Sequence, residues 1–171
     1  MLGAHRRYFE RMTGRWAGKL VFAVYDASAL AAAPLSALDR ARIRMMAASA
    51  RWLAAGTMRT TVAHERGSVL HTTRVVQKGI TVFSSDERIV LFDDGRSFSL
   101  GGAYRLFGSF GTRSFIDASG VVDEDAEGAH YRLDLFGSPL DQRTRVDDGG
   151  LRVVQRTAFS TAEVMLRRVS H

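Results

Sequence analysis

The sequence predicts a mainly β protein: a single antiparallel, up-and-down β-barrel of about ten strands, with an N-terminal helix and a helical lid between strands one and two. Three observations lead to this fold class. Large apolar residues alternate with small or polar ones over 16–24, as in a half-buried strand. A helical period follows over 36–55, and after Gly56 short alternating stretches recur between turn signals. With 171 residues, 46% of them hydrophobic, 1–171 is expected to form one domain.

The first predicted element is a short helix that plugs one end of the barrel. Residues 4–12 can form this helix, because Tyr8, Phe9 and Met12 then share one apolar side. The N-terminal plug as a whole is expected to span 1–13.

A helical insertion over 27–55 is predicted between the first two strands. Ser36 followed by Asp39 approximates a capping box, and Gly56 supplies a stop signal at the far end. The face expected to pack on the barrel consists of Leu38, Met45, Ser49 and Trp52, with Met46 and Leu53 beside them. Both simple packing on one barrel end and a mobile lid over a cavity stay open.

The first strand, predicted from about 15 to 25, opens with Gly14-Arg15-Trp16 directly after the N-terminal helix. A Gly-x-Trp in this place resembles the calycin barrels, which include lipocalins, fatty-acid-binding proteins and nitrobindin-like proteins. Two helical segments between strands one and two are similar to the portal lid of fatty-acid-binding proteins. The resemblance implies a calycin-like barrel with a helical lid, and its nitrobindin-like branch would permit a haem.

Hairpin geometry assigns side chains to the inside of the barrel. A two-residue turn at Arg66-Gly67 pairs His64 with Val69, and paired residues share a face of the sheet. Because the other face of these strands carries arginines, the face with His64 is expected to point inward. Carrying the register through the next turn, Lys78-Gly79, also places inside Ile80, Val82 and Ser84.

The expected interior is apolar but studded with polar groups, and these are the candidate ligand-binding residues. The candidates are Trp16, Thr60, His64, His71, Thr73, Tyr104, Tyr131, Gln142 and Gln155. A dry core would leave many of these groups without hydrogen bonds, at roughly 1–3 kcal/mol each, whereas a wet or ligand-filled cavity satisfies them. The sequence therefore predicts binding of a mostly apolar small molecule inside the barrel.

Two other functions stay open. A cofactor-independent cyclase or isomerase of secondary metabolism could fold its substrate in the same cavity, with His71, His64 or Tyr131 moving protons. The third hypothesis is a structural barrel whose cavity is incidental. The sequence contains no Gly-x-Ser-x-Gly elbow and no cysteine nucleophile, so no catalytic motif decides between them.

Composition and residue spacing exclude some classes of binding partner and cofactor. The net charge is +6, but the arginines are dispersed rather than clustered, so nucleic acid is not expected as a partner. No metal site is expected either, because the chain has no cysteine and no His-x-His spacing. A haem would need an axial histidine, yet 150–169 contain none and His130 is expected to point outward, so no cofactor is predicted.

Composition also bears on location. No run of about 18 apolar residues exists, so no membrane span is predicted. Charges at Arg6 and Arg7 interrupt the N-terminal segment too early for a signal peptide. These features predict a cytoplasmic protein; its oligomeric state stays open.

Overall fold

The computed structural model describes residues 3–24, 26–52, 56–65, 67–106, 113–135 and 138–170. Within its helices and strands, the side chains at 42, 46, 47, 49–52, 106, 113–116, 135 and 138 fall outside this description. The elements of the described chain are α1 (Ala4–Met12), β1 (Gly14–Val24), α2 (Ala27–Ala32), α3 (Ala37–Trp52), β2 (Gly56–Glu65), β3 (Ser68–Gln77), β4 (Ile80–Leu91), β5 (Ser97–Leu106), β6 (Arg113–Val122), β7 (Gly128–Leu135), β8 (Ser138–Asp147), β9 (Gly150–Arg156) and β10 (Ser160–Arg168).

The strands β1 to β10 form one closed antiparallel barrel, so the predicted fold class is confirmed. Each strand pairs with the next in sequence, and β1 closes the barrel by pairing with β10 as well as β2. Trp16 illustrates this closure, because it lies opposite Thr60 of β2 and Arg168 of β10. Closure of this kind removes the unpaired strand edges that invite aggregation.

Helix α1 packs across the barrel end at which β1 begins, and the helix predicted over 4–12 is confirmed. Its buried side consists of His5, Tyr8, Phe9 and Met12. The indole Nε1 of Trp16 donates a hydrogen bond to the carbonyl oxygen of Met12 at 2.7 Å. This bond attaches the last turn of the helix to the first strand of the barrel.

Side chains cap both helices of the insertion. The carboxylate of Asp26 accepts hydrogen bonds from the backbone N–H groups of Ser28 and Ala29 at 2.9 and 2.8 Å. The hydroxyl of Ser36 accepts from the backbone N–H of Asp39 at 3.0 Å and donates to its carboxylate at 2.6 Å. The predicted N-cap is therefore confirmed; a serine N-cap typically contributes about 1 kcal/mol to helix stability.

The prediction that Leu38 and Met45 of α3 face the barrel is wrong. Leu38 and Met45 are exposed, at 56% and 54%, whereas Ile43 is buried and packs beside Leu30 and Phe159. At about 100° per residue, Leu38 and Met45 both lie more than a third of a turn away from Ile43. The side chains of Ser49, Trp52 and Met46, and the whole of Leu53, lie outside the described residues.

The predicted register of β4 is correct at Ile80 and Thr81 but wrong from Phe83 onward, because a β-bulge interrupts the pairing with β3. Val75 lies opposite Phe83 but the next residue, Val76, lies opposite Thr81, so Val82 is an extra residue. An extra residue exchanges the inward and outward positions of a strand. Consequently Ser84 does not take the predicted inward position and is half-buried. Ile80 precedes the bulge and lies opposite Gln77 as predicted, but it is the first residue of the strand and is 64% exposed. Of the three residues predicted inside, only Val82 is buried. The inward positions after the bulge are Phe83, Ser85, Glu87 and Ile89.

Candidate ligand-binding cavity

Inward-facing side chains of the barrel line a cavity of about 130 Å³. Most of its wall is aliphatic or aromatic, and every strand except β6 contributes at least one described lining residue. The apolar lining includes Phe9, Met12, Leu20, Phe22, Ile43, Met58, Val75, Phe83, Ile89, Phe98, Leu100, Leu133, Leu140, Leu151, Val153, Phe159 and Leu166.

An aromatic cluster fills the cavity end next to α1. The rings of Tyr8 and Phe9 meet edge to face at 5.0 Å between centroids, Phe9 meets Phe98 at 5.3 Å, and Phe98 meets Tyr131 at 6.0 Å. Edge-to-face pairs of this kind add about 0.5–1.5 kcal/mol each beyond the area that they bury. The hydroxyl of Tyr8 also hydrogen-bonds that of Thr144, which joins the helix to β8.

The opposite end of the cavity lies under the helical insertion. Ile43 of α3 reaches the cavity here, together with Phe22 near the end of β1 and Phe159 just before β10. Ile43 and Phe159 belong to a small apolar cluster that also contains Leu30 of α2 and Leu35. The insertion therefore forms part of the cavity wall at this end.

A polar belt crosses the cavity wall about halfway along the barrel, and its first half lies on β2, β3 and β4. Nδ1 of His71 lies 2.8 Å from a carboxylate oxygen of Glu87, directly opposite it on the neighbouring strand. Nε2 of His71 lies 3.4 Å from the hydroxyl of Thr73, which is 2.8 Å from the hydroxyl of Thr60. Ser85 donates a further hydrogen bond to Glu87.

His71 and Glu87 form an ion pair in the barrel interior. Burial lowers the pKa of His71, but the charge of Glu87 and its hydrogen bond outweigh this effect, so the pKa is raised above 6.5. Burial raises the pKa of Glu87, but the charge of His71, its hydrogen bond and that of Ser85 lower it below 4.5. Both directions favour imidazolium beside carboxylate. The two side chains are only 11% and 10% exposed.

The second half of the polar belt lies across the cavity, on β7, β8 and β9. The amide of Gln155 donates to the amide oxygen of Gln142 at 2.6 Å, and the amide of Gln142 donates to the hydroxyl oxygen of Tyr131. Burial raises the pKa of Tyr131 well above 10.0, and the nearby charge of Glu87 is the second largest cause of this shift. Tyr131 therefore stays a neutral phenol, and its own proton is available for donation.

Six of the nine predicted site residues line the cavity. They are Thr60, His71, Thr73, Tyr131, Gln142 and Gln155. His64 does not: it has the inward parity but lies next to the last residue of β2, where it is exposed. Its predicted interior position is therefore wrong.

Trp16 and Tyr104 are buried as predicted but do not form the cavity wall. The indole of Trp16 lies against α1, and the guanidinium carbon of Arg168 is 4.8 Å from its ring centroid. The ring of Tyr104 stacks on Phe83 at 6.2 Å, and Phe83 is the residue that reaches the cavity. Trp16 therefore contacts the helix, and Tyr104 contacts a residue that lines the cavity.

Glu87 is a charged residue of the cavity wall that the sequence interpretation missed. The bulge in β4 hides its inward position from a register carried forward from Lys78-Gly79. A signal was present in the strand itself: Asp86 and Arg88 share one parity and require water, so Glu87 between them belongs to the other face.

The described residues do not fit a metal or a haem. Among them, no three His, Asp or Glu side chains come together as a metal site would require. Of the described histidines, His71 lies in the cavity wall. Its Nδ1 faces Glu87 and its Nε2 faces Thr73, so neither nitrogen is open to iron. His130 is exposed, as expected.

Comparisons with known proteins concern the fold of this chain. No family model matches the chain, and no curated protein matches it. A solved structure, the REP1-NXSQ fatty acid transporter, superposes with a TM-score of 0.52 at 12% identity, covering 95% of this chain and 98% of that chain. The fold is a calycin-like β-barrel. A point mutant of the same transporter superposes with a TM-score of 0.51 at 13% identity, covering 94% of this chain and 99% of that one.

At such low identity the likeness concerns the fold alone. Within the described residues, none of the helices is long and apolar enough to span a bilayer.

Proposed function

We propose that this calycin-like barrel binds a mostly apolar small molecule in its interior. The observation that carries the proposal is the cavity of about 130 Å³, whose apolar wall is crossed by a belt of polar groups. Binding sites for small molecules are concave and mainly apolar, with a few polar groups that fix orientation. The transporter that shares the fold is named for fatty acid, whose long alkyl chain makes it mostly apolar, and this supports binding of a mostly apolar molecule here.

Two parts of the wall have separate roles in this proposal. The aliphatic and aromatic side chains supply affinity, at roughly 25 cal/mol for each Å² of apolar surface that the ligand and wall remove from water. The polar belt supplies orientation, because a ligand that leaves its groups without hydrogen bonds loses about 1–3 kcal/mol for each.

The cytoplasmic location expected from the sequence stays a prediction.

Filling part of the cavity should weaken binding. Val153 of β9 is 5% exposed and lines the cavity, whereas its neighbour Val154 lies on the other face, opposite Arg143 and Glu163. We expect Val153→Phe to weaken binding of the apolar dye N-phenyl-1-naphthylamine by about tenfold or more, which is 1.4 kcal/mol. Dye fluorescence at fixed protein concentration measures this change.

Val154→Phe is the matched control, because it adds the same ring outside the cavity. It should bind the dye like the unsubstituted protein, and circular dichroism should show that both variants keep the barrel. Equal dye affinity in all three proteins would contradict binding in the interior. Native mass spectrometry of freshly purified protein then identifies the natural ligand by the mass that it adds.

A cyclase or isomerase of the kind considered from the sequence is the second candidate. The observation that favours it is the His71–Glu87 pair, because a carboxylate that orients a histidine is a recurrent arrangement for proton transfer. If the barrel is such an enzyme, His71→Gln should reduce turnover of the retained compound by about 10²–10⁴-fold and change its affinity little. Chromatography coupled to mass spectrometry measures the product. If the barrel only binds its ligand, neither the unsubstituted protein nor His71→Gln forms any product.

A further inference from the structure

We propose that the ligand is uncharged, and that a hydroxyl or carbonyl group at its polar end binds to the Tyr131–Gln142–Gln155 chain in the middle of the barrel. This inference rests on the proposed function, and it goes further by assigning the chemistry of the ligand's polar end. Three observations support it: the charge of the cavity wall, the direction of its hydrogen bonds, and the position of the polar belt.

The charge of the wall disfavours an anionic ligand. Among the described lining residues, lysine and arginine are absent, and the charged groups are His71 and Glu87, which neutralise each other at 2.8 Å. A carboxylate in this cavity would find no cation that is not already paired. It would also lie in the field of Glu87, which reaches far enough to raise the pKa of Tyr131.

A cationic ligand is disfavoured by the same pair. Glu87 already accepts hydrogen bonds from His71 and Ser85, so an ammonium group would have to displace His71 to use it. Displacement would leave a second positive charge within the barrel, where few waters can solvate it. The cavity wall is therefore electrically balanced, and an uncharged ligand keeps it so.

The hydrogen-bond chain opposite the ion pair suits a hydroxyl or carbonyl group. In the structure its direction runs from Gln155 through Gln142 to the hydroxyl oxygen of Tyr131, which leaves the Tyr131 proton free to donate. Rotating both amides by half a turn reverses the direction, and Tyr131 then presents its oxygen as an acceptor. The chain can thus donate to a carbonyl or accept from a hydroxyl.

The polar belt also sets the ligand's direction. The aromatic cluster of Tyr8, Phe9 and Phe98 occupies the α1 end, next to Tyr131. The opposite end is lined by aliphatic and aromatic side chains, among them Phe22 and Ile43. We infer that the polar group binds at the belt and that the apolar body extends toward the helical insertion.

Competition between matched ligands tests the inference. Decan-1-ol, decanoate and decylammonium each have ten carbons in an unbranched chain, and their polar ends are neutral, anionic and cationic respectively. At neutral pH we expect decan-1-ol to displace bound N-phenyl-1-naphthylamine at a concentration about tenfold or more below that needed for either charged compound. Tighter or equal binding of decanoate or decylammonium overturns the inference, as does failure of all three to displace the dye.

The same assay with Tyr131→Phe tests the assigned contact. Loss of one hydrogen bond should weaken decan-1-ol binding about fivefold and leave decanoate binding unchanged. Tyr104→Phe is the control, since Tyr104 is equally buried but lies behind Phe83; it should bind decan-1-ol normally. If Tyr131→Phe does not fold, the order of the three ligands in the unsubstituted protein still decides. Absence of any dye binding overturns the proposed function itself, and the inference with it.

Discussion

Glu87→Ala is expected to lower the free energy of unfolding by about 3–5 kcal/mol at a pH near 5.5. The carboxylate of Glu87 is the partner that keeps His71 charged inside the barrel, at 2.8 Å and with both side chains about nine-tenths buried. Without it, His71 must either hold an uncompensated charge or release its proton. Denaturant unfolding followed by fluorescence measures the change.

This loss should depend on pH in a direction that the pKa shifts fix. The pKa of His71 is raised above 6.5, so its contribution is fully present below pH 6.5 and is lost as the pH rises through the raised value. The pKa of Glu87 is lowered below 4.5, so its contribution is present above pH 4.5 and is lost as the pH falls through the lowered value. The difference between Glu87→Ala and the unsubstituted protein should therefore be largest between pH 4.5 and 6.5.

The chain offers a second histidine–carboxylate pair as a control. His130 and Asp141 lie 3.8 Å apart on the outer surface, 51% and 42% exposed, and Asp141 also bonds Arg132. Because water solvates these groups, Asp141→Ala should change stability far less than Glu87→Ala. A comparable loss of stability in both variants would show that the interior pair contributes no more to stability than the surface pair.

Phe98→Ala is expected to destabilise the barrel by about 3–5 kcal/mol, the range for removing a fully buried aromatic ring. Phe98 is 1% exposed and contacts Phe9 of the plug on one side and Tyr131 of the polar belt on the other. The backbone of Gly120 packs against the same ring, and glycine has no side chain that could move into the space. Thermal and denaturant unfolding both measure the loss.

Phe92→Ala, six positions earlier in the chain, is the matched control for Phe98→Ala. Phe92 is 46% exposed, and its backbone carbonyl, which accepts a hydrogen bond from His5, is unaffected by the substitution. Its expected effect is small. Similar destabilisation by the two substitutions would argue against the ring of Phe98 as the link between plug and barrel.

Features with a local cause were predictable from the sequence. The cap at Ser36 depends on residues three apart, and the pairing of His64 with Val69 depends on one tight turn. The alternation that begins at Trp16 needs only one strand and one buried face. Such patterns repeat along the chain, and together they predicted the closed barrel of ten strands.

The bulge in β4 was not predictable in the same way. Turn residues at Lys78-Gly79 mark the hairpin, but nothing at Val82 announces an extra residue. One unpaired residue reversed every later position of the strand, so Ser84 was wrongly placed inside and Glu87 was missed. Half of the interior ion pair was lost from the sequence interpretation for this reason.

Parity also says which face a side chain takes, but not how deep in the barrel it lies. His64 and Thr60 share a face of β2, yet His64 is at the exposed rim and Thr60 is in the belt. Trp16 and Tyr104 are inward by parity but contact other side chains before they reach the cavity. Depth follows from the ends of strands and from what packs there, which one sequence does not specify.

The pairing of β1 with β10 has a consequence for how this chain is made. The first strand of the barrel acquires its second neighbour only when the last strand is present, and Val169 and Arg168 then bond the backbone of Arg15 and Arg11. A ribosome that has released residues up to about 150 therefore holds an open sheet with two exposed edges. Such edges pair readily with other chains, and contacts so distant in sequence form slowly. Protection from aggregation during synthesis thus depends on the final strand.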